Sequence, residues 1–218
     1  MSEELKKEDV CGLPQLNQPA PQFSAVTTHG TKSLSDYKGK WVILFSHPAD
    51  FTPVCTTEFI AFAKRHDEFK KLNTEIIGLS IDSIFSHIAW IRNIEQNFGV
   101  KIPFPIIEDL KMDVAKKYGM LQPGASDTQA VRAVFFIDPE QKLRAMVYYP
   151  LSNGRSIDEF IRIIQALQTS DKYGVATPEN WKPGEKVIVS PPKTQKDAEE
   201  RVKSNYEITD WYFSKREL

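Results

Sequence analysis

The sequence of 218 residues carries 28 Lys and Arg against 29 Asp and Glu, a net charge of −1. Both signs are mixed along it, which argues against a nucleic-acid binder, and no apolar run reaches the roughly 18 to 20 residues of a membrane span. Cys11 and Cys55 are too few for a disulfide scaffold, and His29, His47, His66 and His87 fall in no metal-ligand spacing. These features predict a soluble domain in a reducing compartment, with no metal, no cofactor and no membrane or nucleic-acid partner. The opening MSEELKKEDV has no apolar stretch of the secretory type, so a cytoplasmic location is expected.

In chain order, Trp41-Val42-Ile43-Leu44-Phe45 is a continuous apolar run of strand length, as expected of a buried central strand. Phe59, Phe62, His66, Phe69 and Leu72 then recur at spacings of three and four and share one helical face. Glu75 to Ile81 reads as a second strand. Ile84, Ile88, Ile91, Ile94 and Phe98 form a second helical stripe, ended by Gly99. Arg132 to Ile137 and Leu143 to Tyr148 flank the turn signal Asp138-Pro139 and predict a hairpin. Ile157, Phe160, Ile161, Ile164 and Leu167 form the last stripe. Core packing accounts for all three stripes.

Strands alternating with helices, followed by a hairpin and a helix, predict an α/β fold with a mixed sheet, of which a thioredoxin-like order is one case. After Thr169 the character changes. Prolines 178, 183, 191 and 192 punctuate a charged stretch, so residues 1–170 are expected to form one domain and 171–218 an extended arm or small domain. Tyr206, Trp211, Tyr212 and Phe213 could pack on their own subunit or on a partner.

The chemistry concentrates between the first strand and the first helix, in Ser46-His47-Pro48-Ala49-Asp50-Phe51-Thr52-Pro53-Val54-Cys55-Thr56-Thr57-Glu58. Pro53 suits the first helical position and Thr52 the N-cap, which puts Cys55 in the first turn. Free N–H groups and the positive end of the helix dipole there favour a thiolate, the nucleophilic form of cysteine. An ordinary thiol of pKa about 8.5 is roughly 3% ionised at pH 7, so ionisation alone is worth only about thirtyfold. A fixed cation that orients the substrate and steadies the leaving oxygen is therefore also needed. Arg132 and Arg155 both suit that task by position, and spacing does not rank them. The alternative is that Cys55 is a small buried hydrophobe, and the residues alone leave the two readings balanced.

Pro48-x-x-x-Thr52-x-x-Cys55 matches the peroxiredoxin signature P-x-x-x-T-x-x-C. The run from Phe45 to Glu58, Val131 to Phe135, Tyr149-Pro150, Gly154-Arg155 and Thr177 to Gly184 resemble the one-cysteine, mammalian peroxiredoxin-six-type subfamily. The resemblance implies a thioredoxin-like fold and a thiol peroxidase acting on hydrogen peroxide and organic hydroperoxides through a cysteine sulfenic acid. It makes Cys55 the nucleophile, Arg132 the cation beside it, Thr52 the peroxide-binding residue and Pro48 a shield against water. His47, Glu58, Arg155 and Val54 become supporting or pocket residues.

Two-cysteine relatives carry V-C-P in the arm. Here Val175-Ala176-Thr177-Pro178 has no cysteine, so an external thiol is the implied reductant, with Cys11 read as a bystander and, in the alternative, as a resolving thiol. A homodimer, or a decamer built from dimers, is the implied assembly. The phospholipase serine and histidine of mammalian members are matched by Lys40 and Leu34, so no lipase is expected. A peroxide sensor or holdase using Cys55 as a switch is the competing class, distinguished from the enzyme by turnover.

Overall fold

The structure, a computed structural model, describes residues 12–126 and 128–218. Cys11 lies outside the described residues. The chain divides into two compact units, one up to Ile157 and one from Asp158 to Leu218.

The first unit is built on a seven-stranded mixed sheet. Its elements run β1 (Ser24–Thr27), β2 (Gly30–Ser33), β3 (Trp41–Ser46), α1 (Pro53–Lys64), α2 (His66–Lys71), β4 (Thr74–Ser80), α3 (Ile84–Phe98), β5 (Ile106–Glu108), α4 (Asp113–Lys117), β6 (Arg132–Ile137) and β7 (Leu143–Tyr149). The strand order is β2-β1-β5-β4-β3-β6-β7. β3, β4 and β5 are parallel, while β6 runs antiparallel to β3 and forms the expected hairpin with β7. The β1–β2 hairpin and β5 escaped the sequence reading because they are short and carry no long apolar run.

Alternation along the strands makes two faces. On one, Val42, Leu44, Ile77, Leu79 and Phe135 pack with Tyr118. On the other, Phe45 stacks on Phe62 of α1 at 4.4 Å and lies 5.1 Å from Phe59. Gly78 sits beside Phe45 in the sheet. A Cβ there would meet the Phe59 ring at 3.1 Å, so the glycine lets α1 approach closely. Each buried phenylalanine contributes about 1.5–3 kcal/mol of apolar burial, and together they seat α1 against the ends of β3 and β4.

Two helical stripes differ from expectation. The first is divided at Arg65, whose N–H reaches both the Ala61 and Phe62 carbonyls and tightens the chain before α2. In α3 the buried face is His87, Trp90 and Ile94, whereas Ile88 and Phe98 are exposed. Polar partners in the interior turn the helix so that a histidine and a tryptophan face inward; they are described below.

In the second unit, α5 (Ile157–Tyr173) starts at the division, β8 (Val187–Ile188), α6 (Gln195–Arg201), β9 (Glu207–Asp210) and β10 (Phe213–Arg216) follow, and the strands form a small sheet in the order β8-β10-β9. Val175, Trp181 and Val187 make its apolar cluster, with the Trp181 indole donating to the Glu185 carbonyl at 3.0 Å. Trp211, Tyr212 and Phe213 meet edge to face at the β9–β10 turn and remain exposed. The division at residue 157 places α5 with the C-terminal segment, not with residues 1–170. Among the described residues no helix is long and apolar enough to cross a membrane.

Candidate active site

Thr52 is the N-cap of α1, Pro53 its first residue, and Cys55 lies in the first turn with its side chain fully buried. The Thr52 hydroxyl does not cap the helix. It donates to the Ala49 carbonyl at 2.8 Å, which folds the connecting loop back on itself and leaves the oxygen's lone pairs as acceptors. Phe51, just before it, takes a left-handed φ of 55°, which turns the chain sharply into the helix. Pro48 is buried in this loop, and Val54 is half-buried, its Cγ1 3.5 Å from where a Cβ on Gly154 would lie.

Of the two candidate arginines, Arg132 reaches the sulfur. Its Nη1 donates to Cys55 Sγ at 3.3 Å, and its Nε donates to the Leu151 carbonyl at 2.9 Å. As the first residue of β6, Arg132 is carried on a rigid strand paired on its other side with Tyr149. Arg155 serves a different purpose. It binds Glu58 through Nε and Nη2, at 2.9 and 2.7 Å, and through its backbone N–H at 2.9 Å. Its Nη1 also donates to the carbonyls of Ser46 and Ala133, at 2.8 and 3.1 Å, bridging the ends of β3 and β6.

Glu58, one turn after Cys55, also accepts from Arg132 Nη1 at 2.9 Å. Two guanidinium groups therefore share one carboxylate, all of them buried. One positive charge is left over, and the group it faces is the sulfur. An anionic sulfur neutralises the cluster, whereas a neutral one leaves a buried charge without a counterion.

The sequence reading missed Ser46. Its hydroxyl donates to the Val131 carbonyl at 2.5 Å and accepts from the Ala133 N–H at 3.1 Å. It thus fastens the backbone on either side of Arg132. A serine ending an apolar strand was the available signal.

The sequence reading also missed how His47 is held. Its Nε2 lies 2.9 Å from Asp50 Oδ1, while the other oxygen of Asp50 lies 2.8 Å from His87 Nδ1. All three residues are buried and could hold a metal ion by residue type. The separations are those of direct hydrogen bonds between the side chains. His47 and His87 are forty positions apart in sequence, so no spacing rule joins them.

Residues 16–146 match the AhpC/TSA family, and residues 166–205 match the C-terminal domain of 1-Cys peroxiredoxin. The chain belongs to the peroxiredoxin family. A peroxiredoxin of Aquifex aeolicus is 57% identical, with 96% of this chain and 100% of that protein covered. A peroxiredoxin of Methanosarcina mazei is 58% identical over 92% of this chain and 96% of the relative. Among solved structures, a yeast mitochondrial 1-Cys peroxiredoxin superposes with a TM-score of 0.83 at 39% identity, covering 94% of this chain and 100% of its own. A cysteine-to-serine mutant of the peroxiredoxin 6 of Arenicola marina gives 0.82 at 33% identity, with 94% and 98% covered. The fold is therefore the thioredoxin-like peroxiredoxin fold, and the protein is a thiol-dependent peroxidase.

Proposed function

We propose that Cys55 is the peroxidatic cysteine and that the cycle is of the one-cysteine type, reducing hydrogen peroxide and organic hydroperoxides in the cytoplasm. The observation that carries this reading is the Arg132–Cys55 contact at 3.3 Å, at the start of a helix. The Cys55 thiolate attacks the terminal oxygen of the hydroperoxide. An S–O bond forms as the O–O bond breaks, the sulfur becomes a sulfenic acid, and the alkoxide or hydroxide leaves and takes up a proton. Arg132 steadies the charge that moves onto the departing oxygen. Thr52, with its hydroxyl hydrogen directed to Ala49, accepts a hydrogen bond from the peroxide. Pro48 and Val54 wall the pocket. Glu58 and Arg155 hold Arg132 in place.

The sulfenic acid then reacts with an external thiol, releasing water, and a second thiol frees Cys55. The absence of a cysteine between Val175 and Pro178 supports this route. So does the yeast relative, described as resolved through glutathione and thioredoxin systems. A homodimer, assembling further to a decamer, is the proposed state.

Turnover is the test. Purified protein supplied with a thiol should consume many equivalents of peroxide. Cys55→Ser should abolish consumption, and Cys11→Ser should leave it intact. A single stoichiometric oxidation without turnover would favour a sensor, and loss of activity in Cys11→Ser would make Cys11 the resolving thiol.

A further inference from the structure

Cys55 sits inside a turn closed by two threonines and tied to a tryptophan of another helix. The Thr52 carbonyl accepts twice from Thr56, from its N–H at 3.0 Å and from its hydroxyl at 2.8 Å. Both bonds close the backbone from residue 52 to residue 56, with Cys55 between them. A carbonyl can only accept, so the Thr56 hydroxyl directs its hydrogen at Thr52 and offers its lone pairs elsewhere. Trp90 of α3 uses one of them. Its indole N–H, which can only donate, reaches the Thr56 hydroxyl oxygen at 3.3 Å. The donors therefore run in one order, from Trp90 to Thr56 to Thr52, and hydrogen bonds aligned in this way strengthen one another.

Trp90 is only 1% exposed, and its ring is held by neighbours. It stacks on His47 at 5.1 Å and packs on Phe59, one turn past Cys55 on α1, at 4.6 Å. Packing by itself does not require an indole here. A phenylalanine brings no polar hydrogen, whereas a buried indole N–H is costly unless it finds an acceptor. The acceptor it finds is the hydroxyl of the residue next to Cys55. Thr57, by contrast, is exposed and donates to the Val54 carbonyl within α1, which gives the turn no hold on α3. The closed turn carries both the sulfur and Thr52, so the hold from Trp90 bears on the placement of both. Attack on an O–O bond tolerates little error in that placement, and a shift of about 1 Å costs on the order of 10²-fold in rate.

We propose that Trp90 is a positioning residue for peroxide reduction, acting through the Thr56 hydroxyl to fix the turn that carries Cys55 and Thr52. The inference rests on the assignment of Cys55 as nucleophile. Trp90 touches neither the sulfur nor the peroxide in this role. It aims them by supplying the outermost donor of the chain that ends on the Thr52 carbonyl.

Variants of the intact protein test this. Thr56→Val keeps the branched shape and removes the hydroxyl, and Trp90→Phe keeps an aromatic ring and removes the N–H. Stopped-flow oxidation by hydrogen peroxide, followed by thiolate absorbance at Cys55, should slow about tenfold in each, the scale of one hydrogen bond. The double variant should be no slower than the slower single one, because both remove the same chain. Thr56→Ser restores the hydroxyl and should oxidise at close to the wild-type rate. The starting thiolate absorbance should be unchanged throughout, since Arg132 and Glu58 are untouched. In nitrogen–proton NMR the Trp90 indole resonance, assigned with Trp90→Phe, should move in Thr56→Val and stay in place in Thr56→Ser.

Wild-type oxidation in Thr56→Val overturns the proposal, even where its melting temperature falls, since the hydroxyl would then serve folding alone. So does a Thr56→Ser protein as slow as Thr56→Val, or a double variant slowed by the product of the two single effects. An indole resonance that does not move in Thr56→Val overturns it whether or not Trp90→Phe folds. Slowing matched by an equal loss of thiolate also overturns it. If Cys55 of the wild type forms no sulfenic acid by mass spectrometry, it is the nucleophile assignment that fails.

Discussion

Glu58 and Arg155 meet side-on, with Nε on one carboxylate oxygen at 2.9 Å and Nη2 on the other at 2.7 Å. The contact leaves Glu58 one favourable direction in which to accept Arg132, and this orients the Arg132 guanidinium toward Cys55. The carboxylate thus links the arginine that ties β3 to β6 with the arginine that contacts Cys55.

Replacing Glu58 by Gln leaves two buried guanidinium groups without an anion. Breaking a buried pair of this kind costs about 3–5 kcal/mol. Urea unfolding of Glu58→Gln should show a loss of that order, and Cys55 oxidation should slow as Arg132 drifts. A variant as stable as the wild type would contradict the shared-carboxylate arrangement.

Arg132→Met should separate chemistry from folding, because the Glu58–Arg155 contact survives it. Removing a donor that steadies a leaving oxygen typically costs 10²–10³-fold in rate. Mass spectrometry of Cys55 after timed exposure to peroxide should show sulfenic acid forming about that much more slowly. Arg155→Met should instead lower stability, since Arg155 ties Glu58 to the ends of β3 and β6.

Ser46→Ala removes the hydroxyl that pairs with the Val131 carbonyl and the Ala133 N–H. Buried groups left unpaired cost about 1–3 kcal/mol each. Thermal unfolding should register a loss in that range, accompanied by slower oxidation, because the backbone flanking Arg132 is released. Unchanged oxidation kinetics with lowered stability would show that the strand alone aims Arg132.

Stability should fall as pH is lowered, in two stages. His47 is held below its ordinary value of 6.5 by burial, against the opposing pull of Asp50. Below about pH 6.5 the unfolded chain takes up a proton that the folded chain refuses, so folding weakens. Asp50 is depressed by its two histidines despite burial, from an ordinary value of 3.8. Its contribution is fully present above that pH and is lost as pH falls through the folded value. Melting temperature against pH should show both stages. Asp50→Asn should lack the lower one and His47→Gln should have a shallower upper one, the remainder coming from His29 and His66, which burial also lowers.

Much of the fold was legible because its signals are local. Trp41 to Phe45 is apolar on both faces, as a central strand must be, and Asp138-Pro139 marks the β6–β7 turn. The face of α3 was misread because hydropathy favours Ile88 and Phe98 over His87. The interior accommodates His87 because Asp50 and the Ile107 carbonyl are there as its hydrogen-bond partners.

By itself the sequence determined the setting of Cys55. Thr52 and Pro53 start a helix directly after a buried strand, and backbone geometry then puts Cys55 in the first turn whatever the remainder of the chain does. Residue spacing left Arg132 and Arg155 unranked and the family resemblance pointed to Arg132; only the tertiary structure put its guanidinium at the sulfur, made Glu58 the anion both arginines share, and joined His47 to His87 through Asp50. The physical reason is range. A helix cap is fixed by neighbours within a few residues, whereas a buried charge finds its counterion across strands dozens of residues apart, where only the completed sheet brings them within hydrogen-bonding distance.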